Sequence, residues 1–473
     1  MIKQSSLQDA QYRLAQHYIN KLQQAENAAR HGRENRSQWF TLIHQDWEQI
    51  KSWQAWAAAW QDSESERARL CAAFPLATSA VLRVRLTPME QLLWTQQALK
   101  AARQLGDVET ERTLLYQAAF TSLTVETYLD QAEEYAHQLM ALAQASQDAL
   151  SMGRAWYILG TASFTRGAYD RSEACYTQSI SLFEACGASE ELPIVWRGMG
   201  RIFMFRGDYQ QAMMCHQQYL KGSAHTGNEQ GMLDAHISLS GIFLSLRDYV
   251  TAEHHAQQAL NMARPLGKWR LLPPALFSLA HAQKWLGKYE IACAHYEEGI
   301  SVARDIATAP SNIANGLYGL AQTKYLQGDY ATALRHFAEA LAIAQAAQLG
   351  FRICQISHDM VFTHVALDEI DAARSRLKDA IRSAQQLGTA QFMVKALAAA
   401  IGLWRYFDQR EQVAMWAGLL DNYIQMLHPS LFNPAVYEQL EAELGPERYL
   451  RAIEQGKALA LESTLTEILT LLP

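Results

Sequence analysis

The stretch AWYILGTASFTRGAYDRSEACYTQSI, residues 155–180, decides the fold when it is set against VWRGMGRIFMFRGDYQQAMMCHQQYL, residues 195–220. The second segment lies 40 residues after the first and repeats its landmarks: Trp156 and Trp196, Gly160 and Gly200, Gly167 and Gly207, Tyr169 and Tyr209. The same step reaches Ser240, Arg247 and Tyr249, then Ala280, Gly287 and Tyr289. One extra residue of slippage gives Ala321, Gly328 and Tyr330. A fixed period of this length marks stacked structural repeats. Gly187, Gly227 and Gly267 carry the same 40-residue spacing. They read, with Gly106, Gly350 and Gly388, as left-handed caps at helix C-termini.

Within each copy the residue types follow packing. A large residue is followed four positions on by a small one, which lets one helix approach another closely. A Gly-x-Tyr turn follows, as in Gly207-Asp208-Tyr209 and Gly328-Asp329-Tyr330, where glycine tolerates positive φ. Ala212, Ala252, Ala292 and Ala333 come three residues after that tyrosine. Tyr176, Tyr296 and Phe337 follow at the next helical turn. These motifs resemble the tetratricopeptide repeat. The resemblance implies an all-α fold: a right-handed superhelical solenoid of helix-turn-helix repeats whose first helices line the concave face. The 40-residue unit exceeds the usual ~34 residues of that repeat, room for about a turn and a half more of helix.

Three regions are expected. Residues 1–105 form an N-terminal helical cap, 106–426 the solenoid of about eight repeats, five of them clear at 153–345, and 427–473 a C-terminal helical cap. Helices are expected over 9–30 and 37–60. The second holds Trp39, Trp47, Trp53, Trp56 and Trp60 off any single face, so they pack against several neighbours and hide the first apolar face of the solenoid. Pro75 and Pro88 bracket a short run at 76–86. Thr87-Pro88-Met89-Glu90 reads as a helix start, with Thr as N-cap and Pro at the first position. His428-Pro429-Ser430 opens a loop before the last helices.

The bulk numbers exclude several classes. A net charge of −7 gives no basic field for nucleic acid. No apolar run approaches the ~18 residues of a membrane span, and the start lacks a signal-peptide core. Six cysteines without a CxxC pair read as buried packing residues of a reduced, cytoplasmic protein. HExxH, GxSxG, EF-hand and dinucleotide motifs are missing, and Gly198-Met199-Gly200 is part of a first helix. His254-His255 reads as an exposed or packing pair. The expectation is a non-enzyme with no cofactor and no metal.

The segments QYRLAQHYINKLQQAE and WFTLIHQDWEQIKSW, the 40-residue repeats and the tail LGPERYLRAIEQGKALALESTLTEIL resemble the C-terminal sensor region of bacterial STAND-type regulators of the maltose-regulon-activator and LuxR-like kind. The resemblance implies a regulatory sensor. The chain has no GxxxxGK[ST] loop, so ATP hydrolysis is not carried over, nor is DNA binding.

Function is therefore expected in the groove. Positions three before, and one, four and five after, the small residue of each first helix are taken to face inward. The candidates are Arg154, Tyr157, Phe164, Arg197, Arg201, Met204, Phe205, Phe277, His281, Lys284, Trp285, Tyr318, Gln322, Tyr325, His358 and Phe362. Arg197 and Arg201, four apart, could clamp a carboxylate or phosphate. Phe277, Trp285, Tyr318 and Tyr325 could stack on a sugar or hold peptide side chains. The expected partner is a peptide, another protein or a small effector, with no nucleic acid and no membrane. A constitutive protein scaffold and a peptide pheromone receptor are the alternative readings.

Overall fold

The computed structural model describes residues 2–31, 43–60, 64–78, 80–266, 270–306, 309–388, 390–403, 406–407, 409–424 and 434–472. Trp39, Gly267 and His428-Pro429-Ser430 lie outside them. The described residues hold helices and turns and no strand. The chain divides into two compact units, residues 1–228 and 229–473.

The first unit opens with α1 (Ile2–His31), α2 (Trp47–Ala58), α3 (Ser65–Leu76), α4 (Ala80–Arg85) and α5 (Pro88–Leu105). Three helix pairs follow: α6 and α7 (Val108–Ser122, Leu129–Ala145), α8 and α9 (Ala149–Thr165, Tyr169–Cys186), α10 and α11 (Leu192–Arg206, Tyr209–His225). The second unit holds five pairs: α12 and α13 (Glu229–Ser245, Tyr249–Ala263), α14 and α15 (Leu272–Trp285, Tyr289–Asp305), α16 and α17 (Pro310–Leu326, Tyr330–Ala346), α18 and α19 (Gly350–Ala366, Ile370–Leu387), α20 and α21 (Ala390–Gly402, Arg410–Asp421). It ends in α22 (Pro434–Leu444), α23 (Pro446–Gly456) and α24 (Leu461–Leu471). Each unit is thus a stack of antiparallel helix pairs, the plan of a tetratricopeptide-like solenoid.

Local chemistry sets the helix ends. Asp107, Asp148, Asp208, Asp248 and Asp329 are N-caps whose side chains accept from the backbone N–H three residues on. Such a cap contributes about 1 kcal/mol. Thr87 and Glu90 form a full capping box with Pro88 in the first turn. The turn inside a pair has φ of +76° at Gly167, +79° at Gly207, +75° at Gly287 and +81° at Gly328. A Cβ at any of these would meet nothing within 4 Å, so backbone conformation and not space selects glycine. Arg247 and Asp368 adopt the same conformation without it, at φ of +62° and +58°. Between repeats, Gly106, Gly187, Gly227 and Gly388 take the left-handed cap as expected. Gly350 does not. It begins α18, and Gln348 carries the positive φ of +54°.

One contact recurs at several of the helix pairs. The ring of Tyr176 on α9 sits between Gly160 on α8 and Gly198 on α10. A Cβ at these glycines would lie 2.7 Å and 2.6 Å from ring carbons. Tyr296 on α15 presses on Gly319 of α16 in the same way. The buried hydroxyls find partners, Tyr176 with Thr161 Oγ1 at 3.1 Å and Tyr296 with His281 Nδ1 at 2.6 Å. In α11 the equivalent residue is His216, fully buried against Gly200. Burial first, and then the charges of Arg197 and Arg201, lower its pKa to about 4.

Large rings pack together in the opening helices of the first unit and in the last helices of the second. Trp47 stacks on Trp94 at 6.1 Å, Phe74 meets Trp94 edge-on, and Tyr12 and Trp53 both pack on Trp56. In the second unit Trp416 is fully buried against Phe407 at 5.1 Å. Gly418 of α21 and Gly456 of α23 let the two helix backbones touch, since a Cβ on either would strike Ile453 or Met415 backbone. Pro75 lies within α3 and does not bracket the following run, which is the helix α4.

Two substitutions of the same chemistry should act in opposite directions. Gly198→Ala gains about 1 kcal/mol of helix propensity, but overpacking against Tyr176 costs about 1–3 kcal/mol in a slot that must also give up its close helix approach. A net loss is expected. Gly241→Ala in α12 meets nothing within 4 Å and should raise stability by about 0.5–1 kcal/mol. Thermal melts of both variants check the pair of signs.

Candidate functional site

The second unit brings polar side chains from three successive first helices together. Lys284 of α14 donates from Nζ to Gln322 Oε1 at 2.6 Å. Gln322 of α16 donates in turn to Tyr318 OH at 2.7 Å and to Asp359 Oδ2 of α18 at 2.8 Å. Arg352 of α18 reaches Asn315 Oδ1 on α16 and Gln355 Oε1 at 2.6 Å, with its guanidinium 4.8 Å from the Tyr318 ring centre. Lys284 is 3 % exposed, whereas Gln322, Arg352 and Asp359 are half-buried.

Three of these residues stand at +4, +1 and −2 relative to Ala280, Ala321 and Val361, so the chain of contacts drops three positions per repeat. Asn315 and Arg352, at −6 and −9, obey the same slope. The first unit repeats it: Arg154 and Glu191 occupy −6 and −9 relative to Gly160 and Gly200 and form an ion pair.

Burial controls the electrostatics. It pushes the Lys284 ammonium down to about 8, opposed by Asp359 and assisted by Arg352. It holds the Tyr318 hydroxyl well above its ordinary value and lowers Arg352. His281 is held well below its ordinary value, by burial and then by Lys284 and Arg352, and is neutral. A buried ammonium is costly unless acceptors surround it. The hydrogen bond of Lys284 goes to a neutral amide, and the carboxylate of Asp359 is reached through that amide.

The other expected residues divide into two groups. Tyr157, Phe277, Tyr318 and His358, each three before the small residue, are buried; Tyr157, Phe277 and His358 stack on Tyr176, Tyr296 and Phe392, and Tyr318 tilts against Phe337. Their place in this structure is in the packing between helices. Phe164 is buried beneath Phe205 and Tyr169, with the Arg201 guanidinium 4.2 Å above its ring. Phe205 is exposed and stacks on Tyr169 at 5.7 Å. Trp285 stacks on Tyr249 at 6.1 Å and Tyr325 tilts against Tyr330 at 5.3 Å. Met204 and Phe362 are half-buried. Arg197 and Arg201 both act on the Tyr157 hydroxyl and on His216. Arg154 is tied to Glu191 and lies 5.0 Å over the Tyr116 ring.

Sequence reasoning missed Asn315, Arg352, Gln355 and Asp359, because it compared equivalent positions and the contacts cross positions. It also missed an open cavity of about 870 Å³ between α7, α8 and α9, lined by His137, Met140, Trp156, Leu159, Arg171 and Cys175 among others.

Comparison with known proteins agrees with this architecture. Tetratricopeptide-repeat family models match residues 153–186 and 272–346. No curated protein sequence matches the chain. Among solved structures, a Rap protein complexed with competence and sporulation factor is similar at 14 % identity, over 76 % of this chain and 97 % of that one, with a TM-score of 0.51. The apo form of the quorum sensor NprR from B. thuringiensis is similar at 16 % identity, over 74 % of this chain and 99 % of that one, also at 0.51. These likenesses concern the fold.

Lys284→Met should keep or raise stability at pH 7, by about 0–2 kcal/mol, because an apolar side chain of similar length relieves the buried charge. The folded chain releases the Lys284 proton near pH 8 and the unfolded chain near 10.5. Lys284 alone therefore makes stability rise as pH climbs through that window, and the melting difference between Lys284→Met and the parent should shrink there. Melts at pH 7, 8 and 9 check both statements. The matched helix pairs α8–α9 and α14–α17 are tetratricopeptide repeats, and the pairs beside them share their plan.

Proposed function

We propose that the chain is a non-catalytic sensor module that binds a peptide or small effector carrying an anionic group, at the first-helix face formed by α14, α16 and α18. The observation that carries this reading is Lys284, a buried cation whose hydrogen bond goes to a neutral amide. A carboxylate seated beside Lys284 and Arg352 would supply the missing charge partner, and Gln322 and Asn315 would set its geometry. Arg-carboxylate and Lys-carboxylate hydrogen bonds in such a setting are stronger than neutral ones.

The fold likeness to a Rap protein and to NprR, the first complexed with a signalling factor and the second a quorum sensor, supports a peptide ligand. It fits the resemblance of the sequence to regulatory sensor regions. A cytoplasmic setting, and capping roles for residues 1–105 and 427–473, belong to the same proposal. The cysteines favour a non-catalytic module. Burial pushes the Cys215 thiol up to about 11 and the Cys71 and Cys354 thiols to about 12, so all three are thiols at neutral pH and poor nucleophiles.

The test is a binding screen of labelled peptides with free and amidated C-termini and with acidic or neutral side chains. A hit should require a carboxylate. Its affinity should fall as pH rises through about 8, because the complex holds the Lys284 proton more tightly than the free chain does. Lys284→Met and Arg352→Gln should each weaken it by more than about tenfold, the effect of ~1.4 kcal/mol. Equal binding of charged and neutral peptides, or binding indifferent to both variants, would favour a constitutive scaffold instead.

A further inference from the structure

We propose that His236 and His255 form a two-imidazole site for a divalent transition-metal ion such as Zn²⁺ or Ni²⁺. The two residues come from the two helices of one repeat, α12 and α13. Their Nδ1 atoms lie 3.0 Å apart and their ring centres 5.2 Å apart. His255 lies nearly flat on Phe243, with rings 5.4 Å apart and 8° from parallel, which fixes its plane. His254, exposed, stands edge-on to His255 at 5.8 Å.

The positions are distinctive in the repeat. His236 takes the place of Trp156 and Trp196, and His255 that of Cys175 and Cys215. The pair His254-His255 alone suggests packing. His236, 19 residues earlier, gives His255 a partner across the helix pair.

The distances suit a chelate. Imidazole–zinc bonds are about 2.0–2.1 Å long, so two of them at cis angles span about 2.9–3.4 Å between nitrogens. At present one proton lies between the two Nδ1 atoms, one ring donating and the other accepting. Metal binding rotates the rings until both Nδ1 lone pairs meet at one point; the donating ring's proton moves to its own Nε2, the accepting ring already carries its proton there, and the neutral pair releases none. Metals bind the neutral form of imidazole. Among the described residues no third His, Cys, Asp or Glu converges with them, so water fills the remaining positions. Imidazole nitrogen with water suits zinc, nickel and copper over magnesium or calcium.

The experiment is calorimetric titration of the EDTA-treated full chain with ZnCl₂ at pH 7.5, beside His236→Gln, His255→Gln and His254→Gln. One equivalent should bind to the parent. His236→Gln and His255→Gln should each weaken it by more than about tenfold, and His254→Gln should leave it nearly unchanged. No stoichiometric binding, or binding kept in His236→Gln/His255→Gln, overturns the proposal. Should the double variant not fold, NMR of the parent decides: zinc must shift the ring resonances of His236 and His255, and shifts confined to other histidines refute the site.

Discussion

One contact recurs in several repeats of this fold, a ring on a second helix seated against a glycine on a first helix. Tyr176 fills the space between Gly160 and Gly198, and Tyr296 presses on Gly319. A glycine inside a helix is destabilising by roughly 0.5–1 kcal/mol. Full burial of a large side chain contributes about 1.5–3 kcal/mol, so the exchange is favourable where the ring fits. The fit also fixes distance. With no Cβ in the way the helices close up, and side chains beside the contact are carried into reach of the next repeat.

That reach produces the polar chain on the second unit. Lys284, Gln322 and Asp359 come from three helices and meet because each repeat shifts the contact by three positions. Arg154 and Glu191 show the same geometry in the first unit with complementary charges, and there the pair is self-sufficient. In the second unit the corresponding pair is Asn315 and Arg352, so a neutral amide stands where charge neutralisation would otherwise occur. Cations thereby accumulate on α14 and α18 with Asp359 as their local counter-charge. The solenoid is the same in both units; the sign and satisfaction of the side chains it brings together differ.

The repeat itself was legible in the sequence, because its constraints are local. Positive φ at Gly167, Gly207, Gly287 and Gly328, the aspartate caps and the Thr87–Glu90 box each follow from a few neighbouring residues. Gly350 misled because a Leu-Gly pair can precede a helix as well as end one, and Gln348 accepts the left-handed conformation in its place. The polar cluster was partly legible. Lys284 and Gln322 were among the expected groove positions, but Arg352 and Asp359 were not, because the slope between successive helices is a tertiary property with no mark in the 40-residue period. Tyr157, Phe277 and Tyr318 were read as groove aromatics, yet they serve as the partners of Tyr176, Tyr296 and Phe337. A ring pointing into a groove and a ring closing a helix pair have the same periodicity.

The account stands most directly on Lys284 being a buried cation without a full set of charge partners. A pH titration of its Cε and Nζ resonances by heteronuclear NMR, on the ligand-free chain, measures this. The account predicts a midpoint at about 8. A midpoint at the ordinary 10.5 would mean that the ammonium is solvated or fully paired, and would contradict it.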